Sequence, residues 1–197
     1  MHDTTLPDAL QARLTSMYAQ PHRHYHTLAH VHALQRWLAQ WQRLAHAPQL
    51  IDAAIWFHDA VYDTQRRDNE ERSAALARVE LAALGWASAD VERVAALVLA
   101  TQDHRADAND SDAWLFLDLD LSVLAQEAAV YDRYAGAVRA EYAWVEAALY
   151  RSGRASVLRG FMDRPQIYRT PALQAAWEDA ARANLARELA VLIKPPA

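Results

Sequence analysis

The chain reads as an all-α protein, and three observations say so. Ala, Leu, Gln, Glu and Arg dominate its 197 residues, and these favour helix. Gly 4 and Pro 7 are too few for the many turns of an all-β fold. Apolar side chains recur at helical spacing along most of the chain.

Each element has its own reason. Leu6, Leu10, Leu14 and Met17 predict an amphipathic helix over 6–19, broken by Pro21. Leu28, Val31, Leu34, Leu38 and Trp41 share one stripe of a second helix, 27–45. Pro48 opens a third, 48–60, whose run from Leu50 to Phe57 is apolar on every side, as in a fully buried helix. A polar loop, 62–68, leads to Asp68 or Asn69 as the cap of a helix over 69–84, with Glu70 and Glu71 in its first turn and Gly85 at its end. Ser88 caps 89–102, and a polar loop follows over 103–111. The stretch 113–125 alternates around Leu115–Leu121 as a strand would, but its helical surroundings favour helix. A long helix over 127–151, a shorter one near 154–162 and a last one over 171–192 complete the chain, with Pro195 and Pro196 as a frayed tail. Nothing repeats, so 1–197 reads as one continuous helical domain.

Composition excludes several functions. There is no cysteine, hence no disulfide, thiolate metal site or cysteine nucleophile, and this fits a reducing cytoplasm. No stretch predicts a signal peptide or a membrane span. The formal net charge is -5, and Lys194 is the only lysine, so the basic face that nucleic-acid binding needs is not expected.

The chemistry gathers at the histidines. Nine are present, and five lie between His22 and His32. His58 and Asp59 end the most apolar helix. A buried carboxylate without a partner costs several kcal/mol, roughly, so a cation must meet it: a metal ion, or an arginine from another helix. His26 and His30 stand i, i+4 and share a helical face if the helix reaches that far back. His22, His24 and His32 read as surface or packing residues. Asp118 and Asp120 point about 200° apart on a helix, so only one of them can face a common ion. Imidazole with carboxylate suits Mn²⁺, Co²⁺, Fe²⁺ or Zn²⁺, with Mg²⁺ less natural.

The order His30, His58-Asp59, then Asp118 or Asp120, resembles the H…HD…D ligand order of the HD superfamily of metal-dependent phosphohydrolases. The likeness spans about 20–145. Three segments carry it: Tyr25-His26-Thr27-Leu28-Ala29-His30-Val31, Phe57-His58-Asp59-Ala60-Val61-Tyr62-Asp63 and Asp118-Leu119-Asp120-Leu121-Ser122. Within the superfamily they are most similar to the group described as predicted metal-dependent HD phosphohydrolases. The resemblance implies an HD-domain helical bundle, with the helices over 154–192 as a C-terminal extension, and a divalent-metal phosphohydrolase acting on a small phosphate ester such as a nucleotide.

Two better-known branches imply roles. Cyclic-nucleotide phosphodiesterases carry Tyr-His-Asn-x-x-His, whose first His donates a proton and whose second binds metal. This makes His26 the general acid and His30 a ligand. Their Asp-Leu-Ser-Ala ligand segment is similar to Asp120-Leu121-Ser122-Val123, which favours Asp120 over Asp118. Alarmone hydrolases carry His-Asp-Thr-Val-Glu-Asp, which His58 to Asp63 resembles. Asp63 would then orient or deprotonate water, but Tyr62 stands where that motif has Glu. His104, in Thr101-Gln102-Asp103-His104, would line the pocket. Arg23, Arg66 and Arg67 flank the ligands and could grip phosphate in fork geometry; Arg23 and Arg66 are the expected substrate-binding pair. Pyrophosphohydrolase and cyclic phosphodiesterase activity stay open, as does a non-catalytic nucleotide-binding module. A two-iron oxygenase would need more histidines than His104 between the HD pair and the last Asp.

Overall fold

The computed structural model describes residues 6–194; Pro195 and Pro196 lie outside them. Every regular element among the described residues is helical. The chain divides into two compact units, one up to Leu119 and one from Asp120 onward. This boundary precedes the C-terminal extension drawn from sequence. It falls on the last residue of a helix, so Asp120 is described with that helix.

In the first unit, α1 (Asp8–Tyr18) buries Leu10, Leu14 and Tyr18. The stripe thus ends on Tyr18, whose hydroxyl donates to the Trp56 carbonyl at 3.1 Å, and Met17 sits at its margin. α2 (Leu28–Trp41) buries His30, Val31, Leu34 and Leu38, and a 3₁₀ turn over Gln42–Leu44 finishes the predicted 27–45 segment. α3 (Pro48–Phe57) is the buried helix expected, with Leu50, Ile51 and every residue from Ala53 to Phe57 inside. α4 (Asn69–Ala83) ends on Gly85 at φ 77. There Trp86 N–H bonds the Leu81 carbonyl and Gly85 N–H bonds that of Ala82, the paired closure that a left-handed residue permits. α5 (Ser88–Ala100) begins at Ser88 itself, with Ala87 as cap and no side-chain capping bond. α6 (Ser111–Asp120) settles 115–121 as helix, continued by a 3₁₀ turn over Leu121–Ala125.

The ends of α3 are fastened by residues distant in sequence. At its start, the buried Asp112 accepts from the backbone N–H of His46 at 2.7 Å and of Ala47 at 2.8 Å. A carboxylate over helix-initial N–H groups satisfies orphan donors and complements the helix dipole. After α3, the loop is held by α4. The Ser73 hydroxyl accepts from Val61 N–H at 3.0 Å, and the Asn69 side chain meets both the N–H and the carbonyl of Asp63. Asn69 therefore ties the loop, and Asp68 is the N-cap residue of α4, without a side-chain capping bond.

In the second unit the expected helix over 127–151 is two. α7 (Ala128–Glu141) stops, and α8 (Ala147–Met162) starts afresh. Glu146 makes the break: its carboxylate accepts from Ala148 N–H at 2.8 Å and Leu149 N–H at 3.1 Å, an N-cap inside what reads as continuous helix. The segment near 154–162 is the second half of α8. α9 (Pro171–Leu192) matches the last helix predicted. Arg154 and Glu188, side chains 8% and 12% exposed, pair through two N–H···O contacts of 2.9 and 3.0 Å, and Tyr131 donates to Glu188 at 2.5 Å. Asn184 donates to the carbonyls of Leu124 and Gln126. No described helix is long and apolar enough to cross a membrane.

Asp112→Ala should lower stability by about 2–3 kcal/mol, because two part-buried N–H groups lose a charged acceptor. In thermal unfolding that is a drop of roughly 5–10 °C for a chain of this size. A melting point within about one degree of wild type would mean that Asp112 does not anchor α3.

Candidate metal centre

The helix α3 ends at Phe57, earlier than the sequence suggested, so His58 and Asp59 sit on the turn just past it. His58 Nδ1 lies 2.9 Å from the Ile55 carbonyl. A carbonyl can only accept, so Nδ1 carries the proton and Nε2 of the neutral ring is left with its lone pair. Fixing a tautomer by such a backbone bond is how proteins prepare a histidine for ligation.

Three ligand atoms then converge. His58 Nε2 is 3.2 Å from His30 Nε2 and 3.0 Å from Asp59 Oδ2, and His30 Nε2 is 3.9 Å from Asp59 Oδ2. A triangle with these sides has a circumscribed radius of about 2.0 Å. One point therefore lies at ligand distance, about 2.0–2.2 Å, from all three atoms. Two ring nitrogens at 3.2 Å also repel unless a proton or a cation serves both. The His30 and His58 side chains are 4% and 1% exposed, whereas Asp59 is 18% exposed, so the trio has one wet side.

Phe116 of α6 meets the His58 ring edge-on, centroids 5.9 Å apart. Asp120 stands i+4 from Phe116 and so shares its face of α6; Asp118 points away from it and is buried. Among the described residues, His30, His58 and Asp120 each offer a ligand atom, all within 4.8 Å of one another. Asp120 rather than Asp118 thus stands with the histidines. The buried group could bind a metal ion, and its two imidazoles and carboxylates suit a divalent transition ion better than Mg²⁺.

Electrostatics act in the same sense. Burial pushes the Asp59 carboxyl up, but the charge of His58, His26 and His30 in their protonated forms, with a hydrogen bond from His58, outweighs it and holds the group well below the usual carboxylate range. His26, half-buried, is therefore within electrostatic reach of Asp59. Its ring lies 4.3 Å from that of Tyr62 and 6.1 Å from that of His30.

The other expected site residues fare differently. The Asp63 carboxylate accepts from Gln65 N–H at 2.9 Å and shapes its own turn. Arg66 is exposed and doubly bonded to Asp68, at 2.6 and 2.7 Å. Arg23 is buried and turned towards backbone carbonyls rather than solvent. His104 closes α5 in the left-handed region, φ 52, where Arg105 N–H reaches the Ala100 carbonyl. Glu70, expected only as an acid of the first turn, is half-buried at the start of α4. Burial raises its pKa, the charges of Asp59 and Glu71 add to that, and His104 opposes it. Its position beside Asp59 had no signature in the sequence beyond the acidic first turn.

A depressed carboxyl stabilises the fold above its unfolded value, near 3.9, and that contribution is lost as pH falls towards the folded value. Urea midpoints of metal-free protein should accordingly drop between pH 5 and 2.5, and drop less in Asp59→Asn. Parallel acid limbs in the two proteins would contradict the coupling.

Comparison with models of known families, with curated proteins and with solved structures finds no match to this chain.

Proposed function

We propose that this chain is a metal-dependent phosphohydrolase that cleaves a phosphate ester of a small molecule, with nucleotides as the first substrates to try. The observation that carries the reading is the common point at ligand distance from His30 Nε2, His58 Nε2 and Asp59 Oδ2. Asp120 is the fourth ligand in this reading. The HD-type order of the three segments supports the fold assignment and the phosphate chemistry together.

A divalent ion held by these residues makes water a stronger acid and draws charge from a phosphate oxygen. The chain's own groups handle the protons. Water forms the new P–O bond and gives up a proton to a carboxylate; the P–O bond to the leaving group breaks, and that oxygen takes a proton from His26. His26 suits the donor role because it lies against Tyr62, beside Asp59, on the half-exposed side of the site. For the acceptor, one observation favours Glu70 over Asp63. Glu70 feels the charge of Asp59 and has a raised pKa, which brings its basicity nearer neutral pH, whereas the Asp63 carboxylate holds its own turn.

Elemental analysis should find a transition ion, and nucleotides screened with Mn²⁺, Co²⁺, Mg²⁺ and Zn²⁺ should release phosphate. Acid should strip the ion as the ligating imidazoles take protons. His58→Ala and Asp59→Ala should lose both metal and turnover; metal at full stoichiometry in both variants would refute the ligand set. His26→Ala should keep its metal and lose about 10²–10⁴-fold in kcat. Glu70→Gln should cost at least about 10²-fold and Asp63→Asn less than about tenfold. The reverse order would return the base to Asp63. Tight nucleotide binding without phosphate release would leave a binding module.

A further inference from the structure

Arg23 is 5% exposed, and four of its N–H contacts stay within the protein. Nε donates to Gln20 Oε1 at 3.1 Å. One terminal nitrogen donates to the His26 carbonyl at 3.1 Å and the Asp59 carbonyl at 2.6 Å, and the other to Ala60 at 2.9 Å. The guanidinium also lies over two rings, 5.1 Å from the Tyr18 centroid and 5.3 Å from that of Tyr62. Tyr62 in turn lies against His26.

The chemistry of these contacts is specific. Asp59 and Ala60 follow the C-terminus of α3, where carbonyls lack helical partners and carry negative partial charge. A planar cation with forked donors satisfies several of them at once, which a lysine ammonium on a flexible stem does less well. His26 belongs to the loop that precedes α2, and Asp59 to the turn that follows α3. The same nitrogen of Arg23 holds both carbonyls.

We propose that Arg23 is the positioning residue of the metal centre: it fixes the backbone of Asp59 and His26 in one frame and backs Tyr62, the pad against which the His26 ring rests. This rests on the phosphohydrolase reading for its catalytic consequence, but not for the geometry itself. Arg23 therefore acts through Asp59 and His26 and does not grip the substrate phosphate. Tyr62, where an alarmone hydrolase has glutamate, holds an imidazole in place.

The test uses the full-length chain and Co²⁺. Outer partners of metal ligands typically alter affinity by 10–100-fold, so Arg23→Lys should bind Co²⁺ about 10–100-fold more weakly, by calorimetry, at unchanged stoichiometry. In metal-free protein, the His26 ring protons should be shifted upfield by the Tyr62 face. That shift should persist in Tyr62→Phe, vanish in Tyr62→Ala and shrink in Arg23→Lys. Tyr62→Ala should lower kcat with KM nearly unchanged, and Tyr62→Phe should restore it. Wild-type Co²⁺ affinity in Arg23→Lys, or unmoved His26 protons in Arg23→Lys or Tyr62→Ala, would overturn the proposal. Should Arg23→Lys not fold, Gln20→Ala loosens the guanidinium from the exposed side. It should then weaken Co²⁺ binding and move the His26 signals in the same direction; no change in either overturns the proposal. A wild type that binds no Co²⁺ defeats the phosphohydrolase reading alone, and the metal-free His26 signals still decide the role of Arg23.

Discussion

The structure of the first unit is organised around one electrostatic demand. A carboxylate and two imidazoles lie at the end of a helix that has hardly any polar surface. Burial raises the cost of each charge, and only mutual attraction, or a shared cation, offsets it. That demand fixes what α3 must be. Its start is held by Asp112, its end by Arg23, and its following loop by Ser73 and Asn69. Each fastener is polar, and none of them lies on α3 itself. An apolar helix alone could slide or rotate by a fraction of a turn at little cost. These directional bonds set its register, and with it the place of His58 Nε2.

What the sequence made legible follows from this division of labour. Periodicity and caps are local, so helices such as α4 and α9 appeared within a residue of their ends. His58 and Asp59 stood out because imidazole and carboxylate in an apolar run are costly without a purpose, and the candidate ligand order came from the HD-type likeness. The choice of Asp120 over Asp118 rested on a segment likeness, and helix geometry supplies its physical reason: Asp120 shares a face with Phe116, which touches His58. The fasteners were not legible. Arg23 reads as a residue for substrate phosphate, and Asp112, just past the polar loop, draws no reading at all, because their partners are 36 and 66 residues away. The break between α7 and α8 was missed for a related reason. Glu is a good helix former, and only its bonds to Ala148 and Leu149 show that Glu146 caps rather than continues.

The second unit shows the same economy without a site. Its helices carry a buried ion pair, Arg154 with Glu188, extended by the Tyr131 hydroxyl. Desolvation makes such a pair a weak source of net stability, but it penalises any packing that separates the partners. Asn184 does the same for the turn after α6, through two carbonyls that the 3₁₀ segment leaves at its end. These contacts give Arg154, Glu188 and Asn184 protein partners. They sit apart in kind from the histidine group, where the polar atoms face one another at a distance suited to an ion.

That difference separates a functional reading of His30, His58 and Asp59 from a purely structural one. In a satisfied core network, donors and acceptors alternate, as they do from Tyr131 to Glu188 to Arg154. Around His58 they do not. Its one N–H is committed to Ile55, so Nε2 presents a lone pair both to His30 Nε2 and to a carboxylate oxygen. The His58 lone pair and the Asp59 oxygen face each other at 3.0 Å, a repulsion that a proton or a cation between them relieves. A proton on His30 Nε2 would serve only the pair of atoms that it bridges. A divalent ion serves all three, and the spacing of 3.0–3.9 Å is already that of ligand atoms around one centre. Binding would then ask for little rearrangement of the backbone that Asp112 and Arg23 hold.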